Sequence, residues 1–305
     1  MGYDMSAPSY IDVDGARVAY HRLGQGVPLL LIHGIPTSSY LWRDVIPPLV
    51  LDGLEIIALD LLGYGDSDKP IGADLGVAAH AQRVAAVLRK LHWDAGTIVG
   101  HDIGGGVAQL VCANHPQAVR GLVLVDSIAY DSFPEPGIAR LKDPVWDGIL
   151  GAPGFDLRTG LTKGFTRGMV HKDRITPELI AAYERPFHGV DGRRAYLRAA
   201  RALRTEELSA RMGEIEKLDI PALMIWGSED VYQPIHYGAR LAAAMPRARF
   251  EKVERAGHFL PEDEPEALAR LIAGFVKSIE PGAKCDRSPE GPCGASRTSA
   301  SRACP

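Results

Sequence analysis

The chain has 305 residues, 46% of them apolar and 24% charged, the usage of a folded globular protein, which excludes disordered, collagenous and coiled-coil classes for the chain as a whole. Lys and Arg number 34 against 38 Asp and Glu, a net charge of -4, so no basic field favours nucleic acid or an anionic membrane surface. A small-molecule ligand is the expectation, bound by one large α/β domain or two modest ones.

At the N-terminus, MGYDMSAPSY lacks a basic region followed by an apolar one, so no secretory leader is read and the cytoplasm is the expected location. No run approaches the ~20 apolar residues that cross a bilayer. The first element is a hairpin, Tyr10–Val13 and Arg17–Arg22, around Asp14-Gly15, a dipeptide suited to a two-residue turn. Short apolar runs then alternate with amphipathic ones. Strands are expected at Pro28–Ile32, Glu55–Leu59, Thr97–Gly100, Leu122–Val125, Ala222–Ile225 and Arg249–Val253, about eight in all with the hairpin. Helices are expected at Ser39–Val50, Val77–Leu91, Gly105–His115, Ile235–Ala244 and Pro265–Lys277. This is an α/β pattern: a mostly parallel sheet with helices on both faces.

The rhythm stops between 131 and 218, where the sequence is first rich in Pro and Gly and then helical and basic. That segment reads as a helical cap inserted into a core of residues 1–130 and 219–280. Its Arg193, Arg194, Arg198, Arg201 and Arg204 are expected to form a solvated face. Residues 281–305, rich in Pro, Gly and Ser, lack apolar periodicity and are expected to be a disordered tail. Three of four cysteines, Cys285, Cys293 and Cys304, fall in that tail and Cys112 in an apolar helix, so neither a disulfide frame nor a metal site is expected.

The chemistry is concentrated in TIVGHDIGGG, where Gly100, Asp102, Gly104 and Gly105 follow a strand and open a helix. This is a nucleophile elbow with Asp at the apex. The flanking glycines suit it because the sharp turn brings backbones too close for a Cβ. LLLIHGIPTSS contributes His33, Gly34, Ile35 and Pro36; MIWGSED contributes Asp230; ERAGHFLPEDEP contributes His258. All follow strands, where open α/β sheets place their ligand crevice.

With these motifs, HGIPTSSYLWRDVIPPL, DLLGYGDSDKP and GHDIGGG, the chain resembles the α/β-hydrolase fold, and within it the haloalkane dehalogenase and epoxide hydrolase branch, over nearly its whole length to about Ile279. The resemblance implies a nucleophile Asp102, an acid Asp230 and a base His258, with the backbone N–H groups of Ile35 and Ile103 as oxyanion hole and no cofactor. Asp126, after the strand preceding the insertion, is the alternative acid, or else a residue capping the turn into the insertion.

An ionised carboxylate needs no base for its first attack. Attack on an ester would give an unstable anhydride, whereas attack on a saturated carbon gives an alkyl ester of Asp102, which points to an epoxide first and an alkyl halide second. Members of the dehalogenase branch bind the leaving halide with a Trp after the nucleophile and a second donor, and Ile103 and Ile35 replace both. An epoxide oxygen needs a proton, for which Tyr130, Tyr183 and Tyr196 are the candidates; Trp146 is the candidate halide donor. The rival readings are a hydrolase or isomerase using Asp102 as a base, and a non-catalytic ligand-binding relative. A monomer or homodimer is expected.

Overall fold

The computed structural model describes residues 7–152 and 154–280. The tail expected at 281–305, with its three cysteines, lies outside the described residues. The chain opens with β1 (Ser9–Val13) and β2 (Ala16–Leu23). Asp14 and Gly15 between them take φ of 55° and 76°, the left-handed pair that matches hairpin turn to strand twist. The remaining strands are β3 (Val27–Ile32), β4 (Leu54–Leu59), β5 (Gly96–His101), β6 (Val119–Val125), β7 (Ala222–Gly227) and β8 (Ala248–Val253). They form one sheet in the order β1-β2-β4-β3-β5-β6-β7-β8. β2 runs antiparallel to both neighbours; the other pairs are parallel. β5 and β7 are buried along their whole length, and such strands read as continuous apolar runs because helices cover both faces.

The helix expected over Ser39–Val50 is instead a short 3-10 turn, Ser39–Trp42, and α1 (Ile46–Leu51). Pro47 and Pro48 lack the N–H that a continuous helix requires and sit in the first turn of α1, where no partner is lost. Next come α2 (Val77–Lys90) and α3 (Ile103–Asn114). α3 starts two residues before the expected Gly105, directly after Asp102. Cys112 in α3 is a buried free thiol.

Between β6 and β7 run α4 (Pro136–Ala139), α5 (Val145–Gly151), α6 (Leu157–Gly168), α7 (Pro177–Glu184), α8 (Gly189–Ala202), α9 (Glu206–Ala210) and α10 (Met212–Ile215). After β7 come α11 (His236–Ala244), α12 (Leu260–Asp263) and α13 (Pro265–Ile279). The inserted helices are tied to the sheet layer by charge. Arg185 pairs with Asp66 at 2.7 and 2.8 Å, and the buried Glu262 takes two bonds from Arg43, at 2.6 and 2.7 Å, and one from the Tyr183 hydroxyl. Asp263 receives the backbone N–H groups of Val170 and His171, both at 2.9 Å. The arginines expected to form a solvated face are mostly committed: on α8, Arg193 donates to the Leu150 carbonyl at 2.7 Å and Arg201 to those of Leu141 and Asp143, and just beyond it Arg204 pairs with Asp74 at 2.6 Å. Carbonyls freed at the ends of short helices accept these bonds. No described helix is long and apolar enough to cross a membrane.

Candidate active site

Asp102 sits where β5 turns into α3, with φ at 51°, a left-handed conformation that costs a non-glycine residue about 1–3 kcal/mol. The turn is tight on both sides. A Cβ on Gly100 would lie 2.3 Å from the Gly104 carbonyl oxygen, and one on Gly104 would lie 2.4 Å from that of His33. Only glycine permits these approaches, as the elbow motif requires. The Asp102 carboxylate is buried, and its Oδ1 accepts the Ile35 N–H at 3.0 Å. The Ile103 N–H, first in α3, also acts on this carboxylate.

His258, after β8, places Nε2 3.6 Å from Asp102 Oδ2 and donates from Nδ1 to Asp230 Oδ2 at 3.0 Å. The other oxygen of Asp230 is held by the N–H groups of Tyr232 and Gln233 at 2.7 and 2.8 Å. The Tyr232 ring stands edge-on to the His258 ring at 5.2 Å. Burial alone would lower the His258 pKa, but Asp230 and then Asp102 raise it, and it ends above the ordinary histidine value. Burial raises the Asp102 pKa against the pull of His258 and the two amides. His33 and His101 shape the backbone here. His33 Nε2 accepts the Leu61 N–H at 3.0 Å, which leaves the proton on Nδ1 for the Gly34 carbonyl. His101 Nε2 donates to the His258 carbonyl at 2.8 Å.

Asp126 does not reach His258. Its Oδ1 accepts the Gly227 N–H at 2.8 Å, across from β7, and not a donor of the turn into the insertion. The side chain is fully buried and Oδ2 has no donor partner. Burial and the neighbouring Asp230 push its pKa well above the carboxylate range.

A cavity of about 300 Å³ opens over Asp102 and His258, walled by inserted segments, at the small end of ligand pockets. Of the candidate donors, Tyr196 and Trp146 line it. Tyr183 does not, because its hydroxyl is spent on Glu262 beneath α7. Tyr130 does not either: it donates to Glu216 at 2.7 Å and stacks under Arg240. Neither the Tyr196 hydroxyl nor the Trp146 indole has a protein hydrogen-bond partner among the described residues. Burial pushes the Tyr196 pKa up to about 12. Tyr232, Gln233, Glu135, Arg140 and Lys163 also face the cavity and were not foreseen. Only the first two carried a signal, since an Asp followed by free backbone N–H groups forms a local turn. No group of residues able to hold a metal ion occurs among the described residues.

A family model for the alpha/beta hydrolase fold matches residues 27–148. The uncharacterized hydrolase YugF of Bacillus subtilis is 31% identical over 87% of this chain and 96% of its own length. Haloalkane dehalogenase 2 of Mycobacterium tuberculosis is 30% identical over 86% of this chain and 92% of its own. Among solved structures, the epoxide hydrolase CorEH superposes with a TM-score of 0.73 at 27% identity, covering 90% of this chain and 99% of that one.

Proposed function

Because the chain belongs to the α/β-hydrolase family, we propose that it hydrolyses its substrate through a covalent ester on Asp102, with an epoxide as the reacting group. The observation that carries this reading is the asymmetry of the Asp102 carboxylate: Oδ1 is held by the Ile35 amide and Oδ2 is open towards His258. Oδ2 is the attacking oxygen. It forms a bond to an epoxide carbon, the carbon–oxygen bond of the ring breaks, and the ring oxygen takes the Tyr196 proton. Oδ1 is then the ester carbonyl, already in its hole.

His258 Nε2, neutral and oriented by Asp230, next takes a proton from water while the water oxygen bonds to Asp102 Cγ. The charge that develops on Oδ1 is met by the Ile35 and Ile103 N–H groups, which need no rearrangement. Collapse expels the alcohol oxygen, which takes a proton from the His258 imidazolium. Asp102 is restored carrying one oxygen from water, and the second water proton, left on its carboxyl, passes to the Tyr196 phenolate, so that carboxylate, imidazole and phenol all return to their starting states.

Replacing His258 by Gln should halt the cycle at the ester, so a panel of epoxides should add one substrate mass to the intact protein. Absence of an adduct across the panel contradicts the reading. A haloalkane substrate is favoured by one observation, the unpartnered Trp146 N–H at the cavity. Halide release from a panel of haloalkanes, with no diol formed from the epoxides, would select it.

A further inference from the structure

The cavity wall is apolar through Phe133, Ile138, Leu150, Phe155, Leu161 and Phe165, yet its lining includes three cations and two carboxylates. Asp102 is matched by His258. Glu135 accepts from Arg167 at 2.8 Å and from the Gly137 N–H. Arg140 and Lys163 are left, and neither has a salt-bridge partner among the described residues. They come from separate inserted segments, one just after α4 and one in α6. Both are exposed whereas Asp102 is buried, so they stand at the mouth and the reacting carboxylate at the floor. Arg140 lies over the Trp146 ring at 5.8 Å, and its charge acts on the Tyr196 hydroxyl, which fixes it at the cavity edge.

Exposed Lys and Arg are commonly just solvated. Two on one ligand cavity, both lacking a counterion in a chain with net charge -4, form a local positive rim around an apolar interior. Such a rim steers and retains an anion more than it stabilises the fold.

We propose that Arg140 and Lys163 bind the carboxylate of the substrate, an apolar molecule whose acid group lies at the end away from the carbon that Asp102 attacks. This rests on the Asp102 ester reading for the reaction, but the rim is testable without turnover. A carboxylate held this way leaves the reacting carbon among the apolar walls.

The binding arm uses the full chain and two unreactive probes, 3-phenylpropanoate and 3-phenylpropanamide, by titration calorimetry. Two exposed ion pairs are worth about 1–2 kcal/mol together, so the acid should bind about tenfold tighter than the amide. The Arg140→Ala/Lys163→Ala double variant should bind both equally, and about 0.5 M salt should narrow the wild-type gap. The turnover arm compares 4-carboxystyrene oxide with styrene oxide. The double variant should lose about tenfold more in kcat/KM for the acid than for the neutral epoxide, with the difference in KM; any change common to both substrates reports the loss of the Arg140 charge from the Tyr196 hydroxyl. Equal binding of acid and amide by the wild type overturns the rim. Preference for the acid without turnover or adduct from either epoxide keeps the rim and overturns the ester reading.

Discussion

At the residue scale the site is an imidazole whose basicity is set by the two carboxylates beside it. In the proposed ester route His258 must be neutral to take a proton from water, and its pKa is raised because Asp230 and Asp102 outweigh burial. Hydrolysis of the ester should therefore be fastest at high pH and be lost as pH falls through the His258 value, whereas ester formation does not need His258 on this route and should cross that range unchanged in rapid-quench measurements. Esterification removes the Asp102 charge, so the limb seen for ester hydrolysis should lie below the His258 pKa measured by NMR in the free enzyme. In Asp102→Asn the NMR value should fall likewise. The two candidate acids should separate sharply. Asp230→Asn should cost about a thousandfold or more in turnover, since the imidazole loses its orientation. Asp126→Asn, whose amide oxygen can still accept the Gly227 N–H, should stay within a few-fold of wild type; the reverse order would make Asp126 the acid. Asp102, His258 and the Ile35 amide were legible from the sequence because each is fixed by a local motif next to a strand end. The choice between Asp230 and Asp126 was not, because it depends on which carboxylate the β6–β7 register leaves facing the imidazole.

At the element scale, the inserted helices explain why three similar tyrosines end in three different surroundings. Tyr183 lies on the buried face of α7 with Leu179 and Ile180, and its hydroxyl joins Arg43 on Glu262, which binds the insertion to α12. Tyr183→Phe should lower stability by about 1.5–3 kcal/mol, the worth of one hydrogen bond to a charged group, and leave epoxide turnover unchanged. Tyr196→Phe should slow ester formation by about a hundredfold, the scale of a lost general acid, with little change in melting temperature. Equal loss of turnover in both variants would contradict the separate roles. Sequence periodicity showed that the insertion is helical, but which face of each helix meets the cavity depends on how short helices pack against partners far away in the chain. The proline pair at Pro47 and Pro48 was visible in the sequence, and its effect, splitting one expected helix into a 3-10 turn and α1, follows from the missing N–H alone.

At the scale of the whole molecule, the sheet was the most legible part, since parallel strands covered on both faces are near-continuous apolar runs and the antiparallel hairpin carries its own turn dipeptide. The cavity was the least legible. Its floor comes from loops after β3, β5, β7 and β8 and its walls from segments between Phe133 and Tyr196, so its charge balance exists only once the chain is folded. The fold holds a carboxylate, an imidazole and two amides at the carboxyl end of one sheet, beneath the inserted segments. The most direct test of the central claim is a single turnover of an epoxide substrate in ¹⁸O-labelled water, with enzyme in excess, followed by mass analysis of the peptide containing Asp102 and of the diol. The ester route predicts one labelled oxygen in the Asp102 carboxylate and an unlabelled diol, whereas a labelled diol with an unlabelled Asp102 peptide would mean that water attacks the substrate directly and that Asp102 is not the nucleophile.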